Sequence, residues 1–144
     1  RLRLDGQRLT AGRQLILRAL EAAGEPLTIP MILDREPQLA QSSVYRNLTV
    51  LEHAGLVTKI AMGDEHAHYE LGEDVTHHHH HHMVCRTCGR VSDVTLPDSV
   101  ERALDEALSK VAVANGLLLD HHRLDLVGTC QDTRSCARRA ELRS

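Results

Sequence analysis

At 144 residues, with 42% hydrophobic side chains and two Tyr but no Phe or Trp, the chain has room for one large domain or two small ones with aliphatic cores. Apolar stretches such as Leu117 to Leu119 are far too short to cross a membrane, and the scarcity of aromatic rings argues against stacking on single-stranded nucleic acid. The net charge is −3, and the two halves balance alike: eight Lys plus Arg against nine Asp plus Glu up to Gly72, nine against eleven beyond it. This argues against a coat of nonspecific nucleic-acid affinity and leaves DNA contact to a few placed residues.

From Thr10 to Ala23 the residues Ala11, Leu15, Ile16, Ala19, Leu20 and Ala23 recur at helical spacing, with Thr10 as N-cap and Gly24 as stop. Thr28, with Pro30 close behind it, opens a shorter helix that ends near Arg35, where Glu36 and Pro37 force a turn. Ser42 or Ser43 begins a third helix that turns Val44, Leu48 and Leu51 inward and is closed by Gly55. Three short helices in this order predict a helix-turn-helix core. Leu56 to Ile60 and His66 to Leu71, either side of Met62, Gly63 and Asp64, read as a strand, a tight turn and a strand, the hairpin of a wing.

The second half changes character. Val84, Val91, Val94 and the histidine run predict strands, and from Pro97 to Asn115 a helix places Val100, Leu104, Ala107, Leu108 and Val111 on one stripe. Leu124, Leu126 and Val127 give a last strand leading to Cys130. The expected order is strand, strand, helix, strand. The tail after Cys136, with Arg138, Arg139 and Arg143, reads as a solvated helix end or disorder and is assigned no function.

Most of the chemistry lies in one stretch, HHHHHHMVCRTC from His77 to Cys88. Imidazole suits zinc, iron, nickel and copper, and paired thiolates suit zinc or an iron–sulfur cluster. Six histidines before Met83 also resemble an expression tag, but the run is internal, with ordinary folded sequence on both sides. If His77 to Cys85 is extended, alternate side chains point to opposite faces. His80 and His82 then share one face and His79 and His81 the other, so one strand supplies two metal sites. Cys85 and Cys88 precede a second pair, Cys130 and Cys136, in a pattern close to a four-cysteine structural zinc site. The competing pattern is two disulfides in a secreted chain. The sequence carries no signal peptide and no unusual density of cysteine, which favours an intracellular, reducing compartment. A catalytic zinc site is a rival for the same histidines, with Glu101 as base, but there is no HExxH or nucleophile motif. A metal store or chaperone is a further alternative, separable by its lack of operator binding.

Arg8-Leu9-Thr10-Ala11-Gly12-Arg13, Ser43-Val44-Tyr45-Arg46-Asn47-Leu48, Tyr69-Glu70, the histidine run into CRTCG, and His122 eight residues before Cys130 together resemble the ferric uptake regulator family of bacterial metal-dependent transcriptional repressors. The resemblance covers nearly the whole chain. It implies an α+β protein: a winged helix-turn-helix DNA-binding domain over 1–72, a hinge over 73–76, and over 77–144 a small α/β dimerisation domain with a three-stranded antiparallel sheet and one main helix. It also implies a cytoplasmic homodimer, not an enzyme, that binds palindromic operator DNA when metal-loaded and controls iron or zinc uptake genes. A nickel-responsive member is an alternative.

By the same resemblance, the helix carrying Ser43, Tyr45 and Arg46 enters the major groove, with Tyr45 offered to a thymine methyl, while Arg8 and Arg13 approach the minor groove or the backbone. Cys85, Cys88, Cys130 and Cys136 match a structural zinc site. His80, His82 and Glu70 match a regulatory site for zinc or iron, with nickel as a further candidate. His79, His81, Glu101 and His122 match a further site in the dimerisation domain. Many family members supply a regulatory histidine just before the second helix, where this chain reads Glu25-Pro26-Leu27-Thr28. His66 and His68, two residues apart on one strand, are the candidates to replace it. His77 and His78 are expected to be spare or exposed.

Overall fold

The computed structural model describes residues 2–4, 6–60 and 67–141. The chain forms two compact units, Arg1–His78 and His79–Ser144. The first contains helix α1 (Ala11–Ala23), strand β1 (Leu27–Thr28), helices α2 (Ile29–Arg35) and α3 (Gln41–His53), strands β2 (Val57–Ile60) and β3 (His68–Leu71), and the short helix α4 (Glu73–Thr76). Thr10 caps α1 by accepting from the Arg13 amide at 3.4 Å, and Gly24 closes the helix at φ 62°. Thr28 caps α2 in the same way, accepting from the Met31 amide at 3.4 Å.

The third helix starts earlier than the serines suggest. The Ala40 carbonyl accepts from the amides of Ser43 and Val44, at 2.9 and 3.0 Å, as the first bonds of the helix, and no side chain caps it. Ser43 instead accepts at its hydroxyl from Asn47 at 3.2 Å. Ile16, Leu20, Leu27, Ile32, Val44, Leu48, Leu51, Val57 and Tyr69 form the core between these helices and the sheet. That sheet has the order β1-β3-β2, all antiparallel, with Thr28 and Ile60 both opposite His68. β1 was not anticipated, because two residues carry no periodicity. Gly72 is obligatory for steric reasons: a Cβ there would lie 2.6 Å from the Gly55 carbonyl oxygen. The expected wing turn at Met62, Gly63 and Asp64, and His66, fall outside the described residues.

The second unit contains β4 (His81–Cys85), β5 (Val91–Val94), α5 (Asp98–Ala114), β6 (Asp125–Gly128) and α6 (Thr133–Glu141). The expected element order is met, but the sheet is not wholly antiparallel. Its order is β5-β4-β6, and β4 pairs antiparallel with β5 and parallel with β6. A parallel partner needs a long crossover, and α5 with the segment from Asn115 to Leu124 provides one.

Two further expectations are corrected. The strand begins at His81 rather than His77, because His77 sits at φ 57° as the left-handed cap of α4. The tail after Cys136 is a helix end, one of the two readings offered for it, with α6 running to Glu141, but it is not without a role, since Arg139 reaches the cysteine cluster. On α5, Leu104 and Leu108 are half-buried whereas Val100 and Val111 remain exposed, so a single chain leaves part of the predicted stripe uncovered.

Candidate metal centres

The four cysteines converge from three directions. Cys85 ends β4. Cys88 lies in the turn that follows, which Gly89 closes at φ 67° while its amide donates to the Cys85 carbonyl at 2.7 Å. Cys130 follows β6, and Cys136 stands on α6, whose first turn is held by Asp132 accepting from the amides of Arg134 and Ser135 at 3.1 and 3.2 Å. All four are free thiols, and their sulfurs lie within 4.8 Å of one another. The Cys85–Cys136 and Cys88–Cys130 sulfur pairs are 3.6 and 3.7 Å apart. Four sulfurs around a tetrahedral zinc at about 2.3 Å would be about 3.8 Å apart, so the cluster fits that ion.

The electrostatics point the same way. Burial opposes ionisation of Cys85, but the backbone amides of Cys88, Cys130 and Thr87 outweigh it and hold the thiol down to about 5. Burial also opposes ionisation of Cys88, and the Arg139 guanidinium leads the interactions that lower its pKa nonetheless. Cys136 is pushed up to about 12, first by burial and then by the neighbouring sulfurs. A dication relieves that repulsion. With its pKa raised, the metal-free Cys136 holds a proton that a zinc ion must displace, so zinc affinity should rise with pH and fall as protons compete. Zinc titration in weak buffer near pH 7.5 should therefore release at least one proton per ion. A pH-independent affinity between pH 6 and 8 would contradict this.

Residues 79–82 alternate between faces. On one side His79, His81, Glu101 and His122 bring their ligand atoms within 4.8 Å of one another. Glu101, in the first turn of α5, lies at the centre: its Oε1 is 2.8 Å from His81 Nε2, and its Oε2 is 3.5 and 3.4 Å from the Nε2 atoms of His79 and His122. His81 is fully buried. Among the described residues, its Nδ1, Glu101 Oε2 and His122 Nε2 are buried without a hydrogen-bond partner, an expensive arrangement that a cation would satisfy. Asp105 was missed in the sequence. It lies 2.9 Å from His122 Nδ1, where it accepts from the ring and leaves Nε2 to act as a ligand.

On the other face His80 and His82 stand with ring centroids 5.0 Å apart, and Asp93 joins them, its ligand atom within 4.8 Å of theirs. The sheet register explains why. Asp93 on β5 and Asp125 on β6 both sit opposite His82 on the central strand. His82 is 2% exposed, with Nε2 3.9 Å from Asp93 and Nδ1 3.3 Å from Asp125. Neither aspartate was singled out in the sequence, because strand pairing sets their positions and no local spacing signals it. The other two expected regulatory residues, His68 and Glu70, share one face of β3 in the first unit, buried and half-buried respectively. His77 and His78 are exposed, as expected.

On α3, Val44, Leu48 and Leu51 face the core, while Ser42, Tyr45, Arg46 and Thr49 form an exposed stripe. Tyr45 is 53% exposed and is not a core residue. Ser43 is half-buried beside Asn47, and Arg8 is exposed. Arg13 is engaged internally. Its guanidinium donates to Asn47 Oδ1 at 3.2 Å, to Gln7 Oε1 at 3.1 Å and to the Arg8 carbonyl, tying the N-terminal segment to α1 and α3.

A helix-turn-helix unit with a β-hairpin, followed by an α/β unit carrying clustered thiols, imidazoles and carboxylates, defines a metal-responsive transcriptional regulator. Residues 5–127 match the ferric uptake regulator family, and the chain belongs to it. It is 34% identical over 137 residues to the ferric uptake regulation protein of Campylobacter jejuni, covering 91% of this chain and 82% of that one. It is 30% identical over 135 residues to the peroxide operon regulator of Bacillus subtilis, covering 91% and 87%. The fold is similar to the crystal structure of the Vibrio cholerae ferric uptake regulator, with a TM-score of 0.69 and 28% identity over 90% of this chain and 96% of that one. Among the described residues, no helix is long and apolar enough to cross a membrane.

Proposed function

We propose that this regulator acts in the cytoplasm as a homodimeric repressor that binds palindromic operator DNA when its regulatory site is filled, and so controls genes for iron or zinc uptake. The sorting of ligands by parity along residues 79–82 carries this reading, because it gives one short segment a regulatory set and a separate supporting set. The regulatory set of the second unit is His80, His82 and Asp93, and the family resemblance is what adds Glu70 and His68 as further expected ligands. Imidazole and carboxylate without thiolate suit iron(II), zinc or nickel. A bound divalent ion supplies positive charge that offsets the carboxylates and favours whichever conformation holds all the ligands together. Cys85, Cys88, Cys130 and Cys136 hold a structural zinc, and His79, His81, Glu101 and His122 hold a supporting ion. The dimer is supported by apolar surface on the edge strand β6, where Leu126 and Val127 are 42% and 58% exposed.

Operator binding titrated against iron(II), zinc and nickel, with metal analysis of untagged protein, tests the reading. A protein that binds metal but shows no metal-dependent shift of operator DNA would be a store rather than a regulator. The exposed stripe of α3 is the proposed reading head, since the early part of a recognition helix reaches base edges. Tyr45→Ala should cost about 1–3 kcal/mol of operator discrimination, the scale of one lost base contact. Arg13→Ala should weaken binding to every duplex, through lost backbone contact and through release of the N-terminal segment and Asn47 it holds. The check is the ratio of operator to scrambled-duplex affinity at several salt concentrations. An unchanged ratio for Tyr45→Ala would remove this helix as the reader.

A further inference from the structure

Arg139 lies one helical turn beyond Cys136 on α6 and points back at the cysteine cluster. Its Nε donates to Cys88 Sγ at 3.5 Å and a terminal nitrogen donates to Cys130 Sγ at 3.3 Å, so one guanidinium spans two of the four sulfurs. The other two have different neighbours. Cys85 Sγ accepts from the Cys88 amide at 3.5 Å and lies 3.6 Å from Cys136 Sγ.

Four thiolates around one dication leave two formal negative charges in a small, mostly buried cluster. Among the described residues, Arg139 is a cation that reaches it. Neighbouring Arg138 does not do the same: it is exposed, and its guanidinium donates to Ser135 Oγ at 3.4 Å. The five residues between Cys130 and Cys136 accommodate the start of α6, and this places Arg139 on the same side of the helix as Cys136.

We propose that Arg139 is a positioning residue for the structural zinc site, a charge-neutralising fork that holds the Cys88 and Cys130 sulfurs on the metal and slows its release. The inference rests on the zinc-clip reading of the four cysteines. The fork geometry matters beyond the charge, because a guanidinium donates to two sulfurs from fixed positions whereas an ammonium is a point charge. Donors to bound thiolates also draw electron density from the sulfurs that accept them, which reduces their reactivity toward electrophiles.

The test uses the full-length, zinc-loaded protein with Arg139→Gln, Arg139→Lys and, as a control, Arg138→Gln. Metal analysis of the parent comes first. Less than one tightly held zinc per chain would overturn the zinc-clip reading and this proposal with it. With zinc present, transfer to a chromogenic chelator should be roughly 10- to 100-fold faster for Arg139→Gln, the range seen when an outer partner of a metal ligand is lost. Arg139→Lys should be intermediate and Arg138→Gln should match the parent.

Alkylation by iodoacetamide, read cysteine by cysteine by mass spectrometry, separates this role from general loosening of α6. Cys88 and Cys130 should become reactive ahead of Cys85 and Cys136 in Arg139→Gln. Equal acceleration at all four, or a release rate like the parent's, would overturn the assignment while leaving the zinc clip intact.

Discussion

Cys88→Ser should yield protein without its structural zinc and with the second unit unfolded, monomeric or aggregated, while the first unit keeps its own melting transition. The expectation follows from where the cores lie. The first unit packs Ile16, Leu27, Ile32, Val44, Leu48 and Leu51 around its helices and needs no metal for that. In the second, the cysteines themselves form a core cluster, Cys85, Cys88 and Cys136 with Cys130 and Ala140 packed against them. Zinc binding to such a site is worth on the order of 10 kcal/mol and counts directly as folding free energy. Removing one sulfur also leaves Arg139 and Cys130 without their shared partner. Metal analysis, a thermal melt, and limited proteolysis across residues 79–141 check the result. A zinc-free Cys88→Ser protein whose second unit resists protease as the parent does would refute the structural role.

Much of this architecture was legible because local signals agree with the final packing. Thr10 and Gly24 bound α1 as their types require, and the period of Val44, Leu48 and Leu51 orients α3 correctly, which leaves Tyr45 and Arg46 outward. His79 groups with His81 and His80 with His82, as the alternation argument expects, although His77 breaks the strand early and β4 itself begins only at His81. What escaped depends on long-range register. Asp93 and Asp125 meet His82 only through pairing with β5 and β6, and the parallel partnership of β4 with β6 has no signature within either strand. Asp105 reaches His122, and Arg139 reaches Cys88, across loops whose course no periodicity encodes. Asp93 offers its own carboxylate to the regulatory set, whereas Asp125, Asp105 and Arg139 support ligands rather than acting as ligands themselves. A residue with that task needs no distinctive spacing, only a position one contact away.

His82→Ala should abolish metal-induced operator binding while the structural zinc and both units stay in place. His82 is the most constrained of the regulatory histidines: it lies on the central strand, almost wholly buried, with Asp125 fixing its Nδ1 side and Asp93 facing its Nε2 side. Loss of an outer partner alone costs roughly 10- to 100-fold in metal affinity, so loss of the ligand should exceed that. A buried Ala also leaves a void beside two carboxylates, so His82→Gln serves as the companion variant, keeping volume and hydrogen-bonding capacity while removing the imidazole. His80→Ala should behave alike, since its ring stands beside His82 on the same face. His81→Ala should not. Its ring faces Glu101 and His122, and its loss should weaken the supporting site and the stability of the second unit while the DNA response to metal persists. Operator binding across a metal titration, with circular dichroism and zinc content measured on the same samples, separates these outcomes. If all four single alanine variants from His79 to His82 gave one phenotype, two sites on opposite faces of one extended segment could not be the arrangement at work.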